Sequence, residues 1–400
     1  MIHVCFSIYD KTGNYSKFLG TTMCSIFENI SPSQLVCIHI LHDNTLTNEN
    51  RDKFSRLAGK YNQLVKFYNV EELCVEKNAF VKSMFPKIHF SIAAFYRLWI
   101  PQLLSSDIDK CIYLDADIIV NLDITKLWQI DLGDKSLGVI PEILNEIPTH
   151  RNFALCRDGI VKPEDYFNSG VLLMNLEILR GKEKTIINGV KFIGERNGYF
   201  DQDVLNYCFA ERALKLPVKF NRFVRRARGQ KEEVGRKIYH YASSRALGLN
   251  VNDPFNRLWM NYFTKTTWFD ASTIKQLYIN CRQINYNLAD YVLKTSAGVS
   301  GKARAFFIAP KEIESMKKIF SISNDEKIIY DENKDSIKNL IETMKFSEDK
   351  CIFFIMTKKF PFDQLIKEGF AEGRDFLKGW ELLSEKNGRA FNSYDILKAM

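Results

Sequence analysis

Two aspartates, Asp115 and Asp117, are separated by one alanine directly after an apolar segment, in the sequence KCIYLDADIIV. In an extended chain, residues two apart point to the same side, so the two carboxylates are expected to lie close together. Like charges at that distance are unfavourable unless a cation lies between them. Carboxylate oxygens suit Mg²⁺ or Mn²⁺, which often link protein carboxylates to substrate phosphates. The pair predicts a metal site; a solvated strand end is the other interpretation.

Short apolar runs that alternate with helical periods surround this pair and predict an α/β fold. Strands are predicted at residues 3–9, 36–41, 65–70, 111–120, 137–140, 170–173 and 237–241, with helices between several of them. Strands separated by helices usually pair in parallel, so the central sheet is expected to be mostly parallel and covered on both faces. Ligands of such sheets collect at the carboxyl ends of the strands, where the two aspartates would lie.

The character of the sequence changes after about residue 262. Residues 263–300 are polar with a helical pattern, and they end in the small-residue stretch TSAGVSGKA, which is typical of a linker. A new alternation of apolar strands and amphipathic helices follows. We therefore predict a larger domain over residues 1–262, a helical extension and linker over 263–300, and a smaller α/β domain over 301–400. The sequence does not indicate a function for the smaller domain.

Composition and cysteine spacing limit the class of protein. The chain has 400 residues, of which 46% are hydrophobic, so it can bury a sizeable core. Its nine cysteines lack the CxxC spacing of zinc ribbons, and reduced thiols fit a cytoplasmic location. No run of 18 apolar residues predicts a membrane-spanning helix, and the first ten residues do not have the pattern of a signal peptide.

Positive charge is concentrated in one segment of this chain, whose net charge is +8. The basic residues of the segment are Arg222, Arg225, Arg226, Arg228, Lys231, Arg236 and Lys237. Such a segment attracts phosphate groups on nucleotides, anionic lipids or nucleic acid, although a solvated surface would have the same composition. Because the sequence contains no recognisable nucleic-acid-binding module, we expect no nucleic-acid partner.

Six segments together resemble the retaining glycosyltransferases of family 8, the group that contains glycogenin and the bacterial lipopolysaccharide galactosyl- and glucosyltransferases. The segments are YDKTGNY (9–15), AAFYRLWIPQLL (93–104), YLDADIIV (113–120), YFNSGVLLMN (166–175), DQDVLNY (201–207) and HY (240–241). Their order and spacing make the set specific, and the resemblance extends to about Trp259. It implies a GT-A type nucleotide-diphosphosugar transferase domain over residues 1–262, a UDP-sugar donor, and Mn²⁺ or Mg²⁺ as cofactor.

The resemblance also assigns roles to individual residues. The metal ligands would be Asp115, Asp117 and His240. The residues that match donor-binding positions are Ser7, Asp10, Asn14, Tyr15, Arg97, Ala116, Ser169 and Gly170. Arg245 is added as a donor-binding residue because it lies next to another such position. Those beside the reacting sugar, predicted to be catalytic, are Asn168, Asp201 and Gln202. Because the amide of Gln202 is a poor nucleophile, the expected route to a retained configuration is front-face attack assisted by the leaving phosphate.

Four of these assignments have a purely structural alternative. A lone histidine that ends a strand, such as His240, is by itself more often structural. Arg97 could be a charge on a helix surface, and residues 168–170 could form a plain turn before a buried strand. Asp201 could be only the N-cap of the helical segment that follows it.

The sequence departs from the family after His240. Members commonly continue with a glycine and then Lys-Pro-Trp, whose lysine reaches the donor diphosphate, whereas this chain reads HYASSRALGLN. An ungapped alignment puts Ala246 where the lysine is expected. The neighbouring Arg245 could supply the charge, so we predict a rearranged loop that contacts the donor through Arg245. Glu142 also stands where the family often has an aspartate near the sugar.

The predicted function is therefore transfer of a hexose, with retention, from a UDP-sugar to a glycan acceptor. The basic segment favours an anionic, lipid-linked acceptor such as lipopolysaccharide, lipo-oligosaccharide or another surface polysaccharide. The chain would then be a bacterial cytoplasmic enzyme in peripheral contact with the anionic inner face of the membrane. A nucleotide-sugar-binding protein without transfer activity is the first alternative. A metal-dependent phosphohydrolase is the second, although no further cluster of metal ligands is evident in the sequence.

Overall fold

The chain divides into two compact units, one formed by Met1–Ala246 with Val251–Thr267 and the other by Leu247–Asn250 with Trp268–Met400. The computed structural model describes residues 1–13, 15–86, 92–142, 153–196, 200–242, 253–274, 293–298, 301–320, 322–323, 326–333, 335–347, 350–357 and 359–383. The predicted division into domains 1–262, 263–300 and 301–400 stays a prediction.

A seven-stranded sheet of order β3-β2-β1-β4-β7-β6-β8 forms the centre of the first unit. The strands of this unit are β1 (Ile2–Ile8), β2 (Val36–His42), β3 (Leu64–Asn69), β4 (Lys110–Leu114), β5 (Ile118–Val120), β6 (Leu137–Pro141), β7 (Phe167–Asn175), β8 (Leu214–Lys215), β9 (Arg222–Phe223) and β10 (Ile238–His240). β7 pairs antiparallel with both β4 and β6, and the other pairs of the large sheet are parallel. The prediction of a mostly parallel sheet is confirmed.

A smaller sheet of order β5-β10-β9 lies in the same unit. β10 pairs antiparallel with β5, which sets His240 opposite Ile118, and it pairs in parallel with β9. Since β5 begins directly after Asp117, this register brings the end of β10 to the aspartate pair. The small sheet is thus the element that joins two distant parts of the sequence.

Three helices of the first unit begin at a residue whose side chain accepts a hydrogen bond from the first turn. The helices of this unit are α1 (Tyr15–Glu28), α2 (Asn48–Lys60), α3 (Val70–Leu73), α4 (Val75–Met84), α5 (Ile100–Leu103), α6 (Thr125–Trp128), α7 (Ala154–Arg157), α8 (Leu176–Arg180), α9 (Glu183–Gly194), α10 (Phe200–Phe209), α11 (Val224–Gly229) and α12 (Pro254–Phe263). The Asp253 carboxylate accepts hydrogen bonds from the backbone N–H groups of Phe255 and Asn256 at the start of α12, where Pro254 occupies the first turn. Short 3₁₀ helices span Ile92–Trp99, Ala210–Arg212 and Val218–Phe220.

The core of the first unit lies against the central sheet. β2 is buried along its whole length, as expected for a central parallel strand covered on both faces. The large side chains of Trp99, Tyr113 and Phe167 are fully buried in this core. Burying each of them contributes about 2–3 kcal/mol in transfer free energy, so the core holds the strand ends in fixed positions.

One prediction about the aspartate pair is wrong. The strand predicted over residues 111–120 ends at Leu114 and resumes at Ile118, and Ala116 and Asp117 lie in a turn. The backbone N–H of Asp115 still donates to the carbonyl of Gly170, at 2.8 Å. Beyond that bond the chain leaves the large sheet to pair with β10, so the carboxylates converge because of a turn and not because of an extended backbone.

The second unit contains a four-stranded sheet of order β12-β11-β13-β14 in which every pair is parallel. Its strands are β11 (Ala303–Ile308), β12 (Lys327–Tyr330), β13 (Cys351–Ile355) and β14 (Phe376–Leu377). Its helices are α13 (Ile313–Phe320), α14 (Ser336–Phe346) and α15 (Phe362–Lys367), with 3₁₀ helices at Pro310–Glu312 and Gly379–Leu383. Buried apolar clusters on both faces of this sheet confirm the predicted smaller α/β unit. In the described part of the chain, no helix has both the length and the apolar character to cross a membrane.

Candidate active site

The predicted metal ligands come together where β4 and β10 end and β5 begins. The Nε2 atom of His240 lies 3.3 Å from Oδ1 of Asp117 and 3.7 Å from Oδ2 of Asp115. One potential ligand atom from each of the three residues lies within 4.8 Å of the others. Two carboxylate oxygens and an imidazole nitrogen form a donor set that suits Mn²⁺ or Mg²⁺, so the residues present fit a divalent cation.

The pKa shifts of His240 and Asp117 also agree with a cation site at this position. Burial alone would lower the pKa of His240, but the Asp117 and Asp115 carboxylates outweigh it and raise that pKa. Burial would raise the pKa of Asp117, and the His240 imidazolium outweighs it and lowers that pKa. A proton on the histidine therefore balances the paired carboxylates, and a bound cation would replace that proton.

Asn221 fixes the orientation of the His240 ring. The Asn221 side-chain oxygen lies 3.0 Å from Nδ1 of His240, and Asn221 is fully buried. With Nδ1–H donating to this oxygen, Nε2 faces the aspartates as the ligand atom. Phe223 contacts the ring edge-on, with the two ring centroids 5.3 Å apart. Asn221 was not singled out from the sequence, because only the pairing of β9 with β10 brings it next to the histidine.

Gly170 provides the close approach that the ligands need. A Cβ at this position would lie 2.3 Å from Cε1 of His240 and 2.6 Å from Oδ2 of Asp115. Both distances are shorter than any van der Waals contact, so a larger residue would displace two of the three ligands. Glycine is therefore required here to leave space for the ligands, while the predicted contact of the FNSG segment with the sugar stays a prediction.

Arg97 is buried beneath the aspartates, so its interpretation as a surface charge is wrong. Its guanidinium donates to Oδ1 of Asp115 at 2.9 Å, and it lies 3.2 Å from Oδ2 of Asp201. It also donates to the carbonyl and hydroxyl of Ser169, at 2.7 and 3.0 Å. Burial would lower the pKa of Arg97, and the two carboxylates raise it, so the arginine stays charged. It holds Asp115, Ser169 and Asp201 in one network.

A second network holds the first residues of β7, and residues 168–170, predicted as a loop or turn, belong to this strand. The Gln202 side-chain oxygen accepts hydrogen bonds from the Asn168 amide, at 2.9 Å, and from the backbone N–H of Ser169, at 3.2 Å. Its amide nitrogen donates to the Tyr166 hydroxyl at 3.1 Å. The Asn168 oxygen in turn accepts from Asn221 at 2.9 Å. The structure therefore brings all three residues predicted to be catalytic (Asn168, Asp201 and Gln202) to the metal ligands.

The first loop is built mainly around Asp10. The Asp10 carboxylate accepts hydrogen bonds from the Tyr15 backbone N–H at 2.6 Å, from the Ser16 hydroxyl, and from Asn50 at 3.0 Å. Burial raises its pKa, and these hydrogen bonds oppose that rise. The described contacts of Asp10 thus cap α1, while a role in binding the nucleotide stays a prediction.

The remaining predicted donor-binding residues have varied positions. Ser7 lies near the carboxyl end of β1, Tyr15 is partly exposed at the start of α1, and Ala116 is buried in the turn between the two aspartates. Asn14 and Arg245 lie outside the described residues, as does Ala246.

The model of the family described as "Glycosyl transferase family 8" matches residues 7–243, more than half of the chain. This chain belongs to glycosyltransferase family 8. The matched region contains every described residue of the site, from Ser7 to His240, and the resemblance drawn from the six segments is confirmed. Membership makes glycosyl transfer the activity class of the protein.

Two curated relatives show how far the similarity extends. General stress protein A of Bacillus subtilis is 23% identical over 64% of this chain and 91% of its own length. A lipopolysaccharide 1,2-glucosyltransferase of Escherichia coli is 27% identical over 52% of this chain and 59% of its own length. The chain thus spans less than two thirds of the lipopolysaccharide enzyme, and the match covers about half of this chain.

A solved structure confirms the fold of this family 8 protein. The galactosyltransferase LgtC, determined with donor and acceptor sugar analogues, superposes with a TM-score of 0.54 at 21% identity. The superposition covers 66% of this chain and 96% of LgtC. The predicted GT-A type architecture is therefore confirmed.

Glu142 is a buried carboxyl group at the end of β6, and burial raises its pKa to about 7, although His240 and Arg225 oppose that rise. One of its carboxylate oxygens has no hydrogen-bond partner among the described residues. Because the pKa of Glu142 is higher in the folded than in the unfolded state, the protonated carboxyl group favours folding relative to the ionised one. Its contribution to stability is therefore fully present below about pH 4.5 and is lost as the pH rises through about 7.

Replacing Glu142 by glutamine should remove this pH dependence. In protein kept metal-free with a chelator, we expect Glu142→Gln to raise the free energy of unfolding by roughly 1–3 kcal/mol at pH 8. At pH 5 the difference from the unmodified protein should be close to zero. Thermal unfolding at the two pH values measures it, with Glu211→Gln on the exposed surface as the matched control. Equal effects of Glu142→Gln at both pH values would contradict the assignment.

Proposed function

We propose that the protein transfers a hexose from a UDP-sugar to a glycan acceptor with retention of the anomeric configuration, and that Asp115, Asp117 and His240 hold the Mn²⁺ or Mg²⁺ it uses. The observation that carries the proposal is the convergence of these three residues beside the glycine at position 170. A divalent cation bound there would neutralise charge that develops on the leaving diphosphate.

The side chains around the metal ligands have positioning roles in this proposal. Arg97 holds Asp115 through an ion pair, so the carboxylate cannot rotate away when a donor enters. The same arginine holds Asp201 in a fixed position, and the resemblance to the family implies that this carboxylate lies beneath the reacting sugar. Gln202 holds Asn168 and Ser169, at the start of β7, in place through its amide oxygen. Preorganised groups of this kind stabilise the transition state without further rearrangement.

The arrangement supports front-face attack over a covalent intermediate. The amide of Gln202 is a poor nucleophile, and its oxygen already accepts two hydrogen bonds. The Asp201 carboxylate is bound to Arg97 and to the Ser169 hydroxyl. We therefore propose that the leaving phosphate receives the proton of the acceptor hydroxyl while the new bond forms on the same face of the sugar.

Release of UDP from a panel of UDP-hexoses tests the proposed activity. With Mn²⁺ present, we expect slow hydrolysis of one donor in the absence of acceptor, and no UDP release in the presence of a chelator. Nuclear magnetic resonance of the first sugar formed should show the anomeric configuration of the donor. Donor binding without UDP release from any member of the panel would contradict transfer and favour a nucleotide-sugar-binding protein.

The proposed acceptor is an anionic, lipid-linked glycan such as lipopolysaccharide or lipo-oligosaccharide. The name of the Escherichia coli relative, a lipopolysaccharide glucosyltransferase, supports this class. The structure also limits which basic residues could face such an acceptor. The side chains of Arg225 and Arg226 are exposed on α11, whereas those of Arg222, Arg228 and Lys237 are buried or partly buried.

Peripheral binding to anionic membranes should therefore depend on Arg225 and Arg226. We expect the protein to sediment with phosphatidylglycerol vesicles at low salt and to be released at high salt, because each basic side chain contributes about 1 kcal/mol that salt screens. Replacing both arginines by serine should weaken this binding. Serine at Lys184 and Lys191, which are exposed on α9, removes the same charge elsewhere and is the control. Absence of vesicle binding at low salt would contradict the proposed membrane contact.

A further inference from the structure

A second group of potential metal ligands lies on β1 and β2, two inner strands of the central sheet, toward their amino ends. His3 of β1 and Cys37 of β2 are register partners in the parallel pair, and His39 follows two residues later on the same face of β2. One ligand atom from each of the three residues lies within 4.8 Å of the others. His3 lies near the amino end of β1, about 16 Å along the strand from the carboxyl end at which the active site is built. The cluster is therefore separate from Asp115, Asp117 and His240.

We propose that His3, Cys37 and His39 bind a divalent metal ion of the zinc class on these two strands. Two imidazole nitrogens and a thiolate are ligands that Zn²⁺ prefers, and three protein ligands with water in a fourth position make a tetrahedral site. This donor set differs in kind from that of the active site, where two of the three ligands are carboxylates. The inference does not rest on the proposed glycosyl transfer.

The distances within the cluster fit a shared ion. Nδ1 of His3 lies 3.0 Å from Nε2 of His39, so both nitrogens point at the same space. In a tetrahedral zinc site, neighbouring nitrogen and sulfur ligands lie roughly 3.3–3.6 Å apart, which follows from bonds of about 2.0–2.3 Å. The two imidazoles therefore need to separate by only a few tenths of an ångström to admit the ion. The three side chains come from adjacent strands of a rigid sheet, which keeps the ligands in place.

The surroundings of His39 supply the outer partner that a metal-bound histidine requires. Nδ1 of His39 lies 3.0 Å from the Tyr68 hydroxyl on β3, so Nδ1–H can donate to Tyr68 while Nε2 faces the cluster. A hydrogen bond at the far nitrogen fixes both the tautomer and the ring orientation of a ligating histidine. His39 and Cys37 are buried, whereas His3 is only partly buried and leaves a path for the ion.

The protonation states of the ligands agree with binding at neutral pH. Burial, followed by the charges of His3 and Lys66, lowers the pKa of His39 to about 3, and burial is also the main cause that lowers the pKa of His3. Both imidazoles are therefore neutral and able to bind a metal. Burial raises the pKa of the Cys37 thiol, so loading must displace its proton, as it does at other thiolate sites.

Cobalt(II) distinguishes this site from the active site, because only a thiolate ligand gives the near-ultraviolet thiolate-to-cobalt charge-transfer absorption. We expect the full-length protein, freed of any histidine tag and of bound metal, to show this absorption with one equivalent bound at the cluster. Addition of Zn²⁺ should displace the cobalt and remove the absorption. Zn²⁺ should also raise the unfolding temperature by several degrees, because the folded cluster is expected to bind it more tightly than the cysteines and histidines of the unfolded chain do.

Point variants show which residues give the charge-transfer absorption of bound cobalt. Cys37→Ser and His3→Gln should each lose the charge-transfer absorption, whereas Cys208→Ser, which removes a cysteine outside the cluster, should retain it. Asp117→Asn should retain it as well, because the active site holds no thiolate. Circular dichroism checks that each variant is folded, and His3→Gln, at the partly exposed position, decides the test if Cys37→Ser does not fold. Absence of the absorption in the unmodified protein, or its persistence in a folded cluster variant, would show that the histidines form only a hydrogen-bonded pair.

Discussion

Asp117→Asn is expected to reduce kcat/KM for the donor by about 10³-fold or more, because it removes a charged ligand of the proposed metal ion. A bound divalent cation contributes several kcal/mol to the stabilisation of charge on the leaving diphosphate, and about 4 kcal/mol corresponds to a factor of 10³. Asp117 is the better choice of the two aspartates for this test. Asp115 also accepts hydrogen bonds from Arg97 and Tyr113, so its replacement would disturb two further side chains.

The measurements for Asp117→Asn are UDP release and the Mn²⁺ dependence of UDP binding. Both should be lost while the circular dichroism spectrum and the cooperativity of unfolding are retained. Asp134→Asn, at an exposed position of the same unit, makes the same chemical change away from the site and should leave both unaltered. Ordinary UDP release by Asp117→Asn would refute the assignment of the metal site.

Most of the framework of the first unit could be predicted from the sequence, because apolar runs and helical periods mark buried strands and covering helices directly. The strand predicted over residues 36–41 is observed at Val36–His42, and the strand predicted over 137–140 at Leu137–Pro141. Asp115 and Asp117 were also found from spacing alone. The turn that contains Ala116 and Asp117 was not, because the flanking residues 111–114 and 118–120 are apolar and read as one continuous strand.

The rest of the site depends on contacts that a sequence does not display. Asn221 reaches His240 only because β9 and β10 pair, and no local pattern marks a two-residue strand. Tyr113 belongs to the apolar run before the aspartates and reads as a core residue, yet its hydroxyl donates to Asp115 at 3.0 Å. Residues of this kind can be assigned to the site only when the register of the strands is known. The resemblance to family 8 supplied His240, which its position in the sequence would not have distinguished from a structural histidine.

Gly170→Ala should reduce kcat/KM by about 10²-fold or more even though it adds a single methyl group. That methyl carbon would lie 2.3 Å from the His240 ring and 2.6 Å from the Asp115 carboxylate, so both ligands must move. A displacement of about 1 Å in a catalytic group costs roughly a factor of 100 in rate. The backbone itself is not strained by the change, since position 170 does not have a positive φ angle.

Gly170→Ala is expected to lose the metal site while the protein stays folded, so the two effects can be measured separately. Overpacking of this kind costs typically 1–3 kcal/mol, which lowers the unfolding temperature but leaves a folded protein. The decisive readout is the rise in unfolding temperature that Mn²⁺ with UDP produces in the unmodified protein, and this rise should disappear in the variant. Gly235→Ala, where an added Cβ would meet nothing within 4 Å, should keep both the rise and the activity. If Gly170→Ala binds Mn²⁺ and UDP normally, the close packing around position 170 has no part in holding the ligands, and the proposed geometry of the site is wrong.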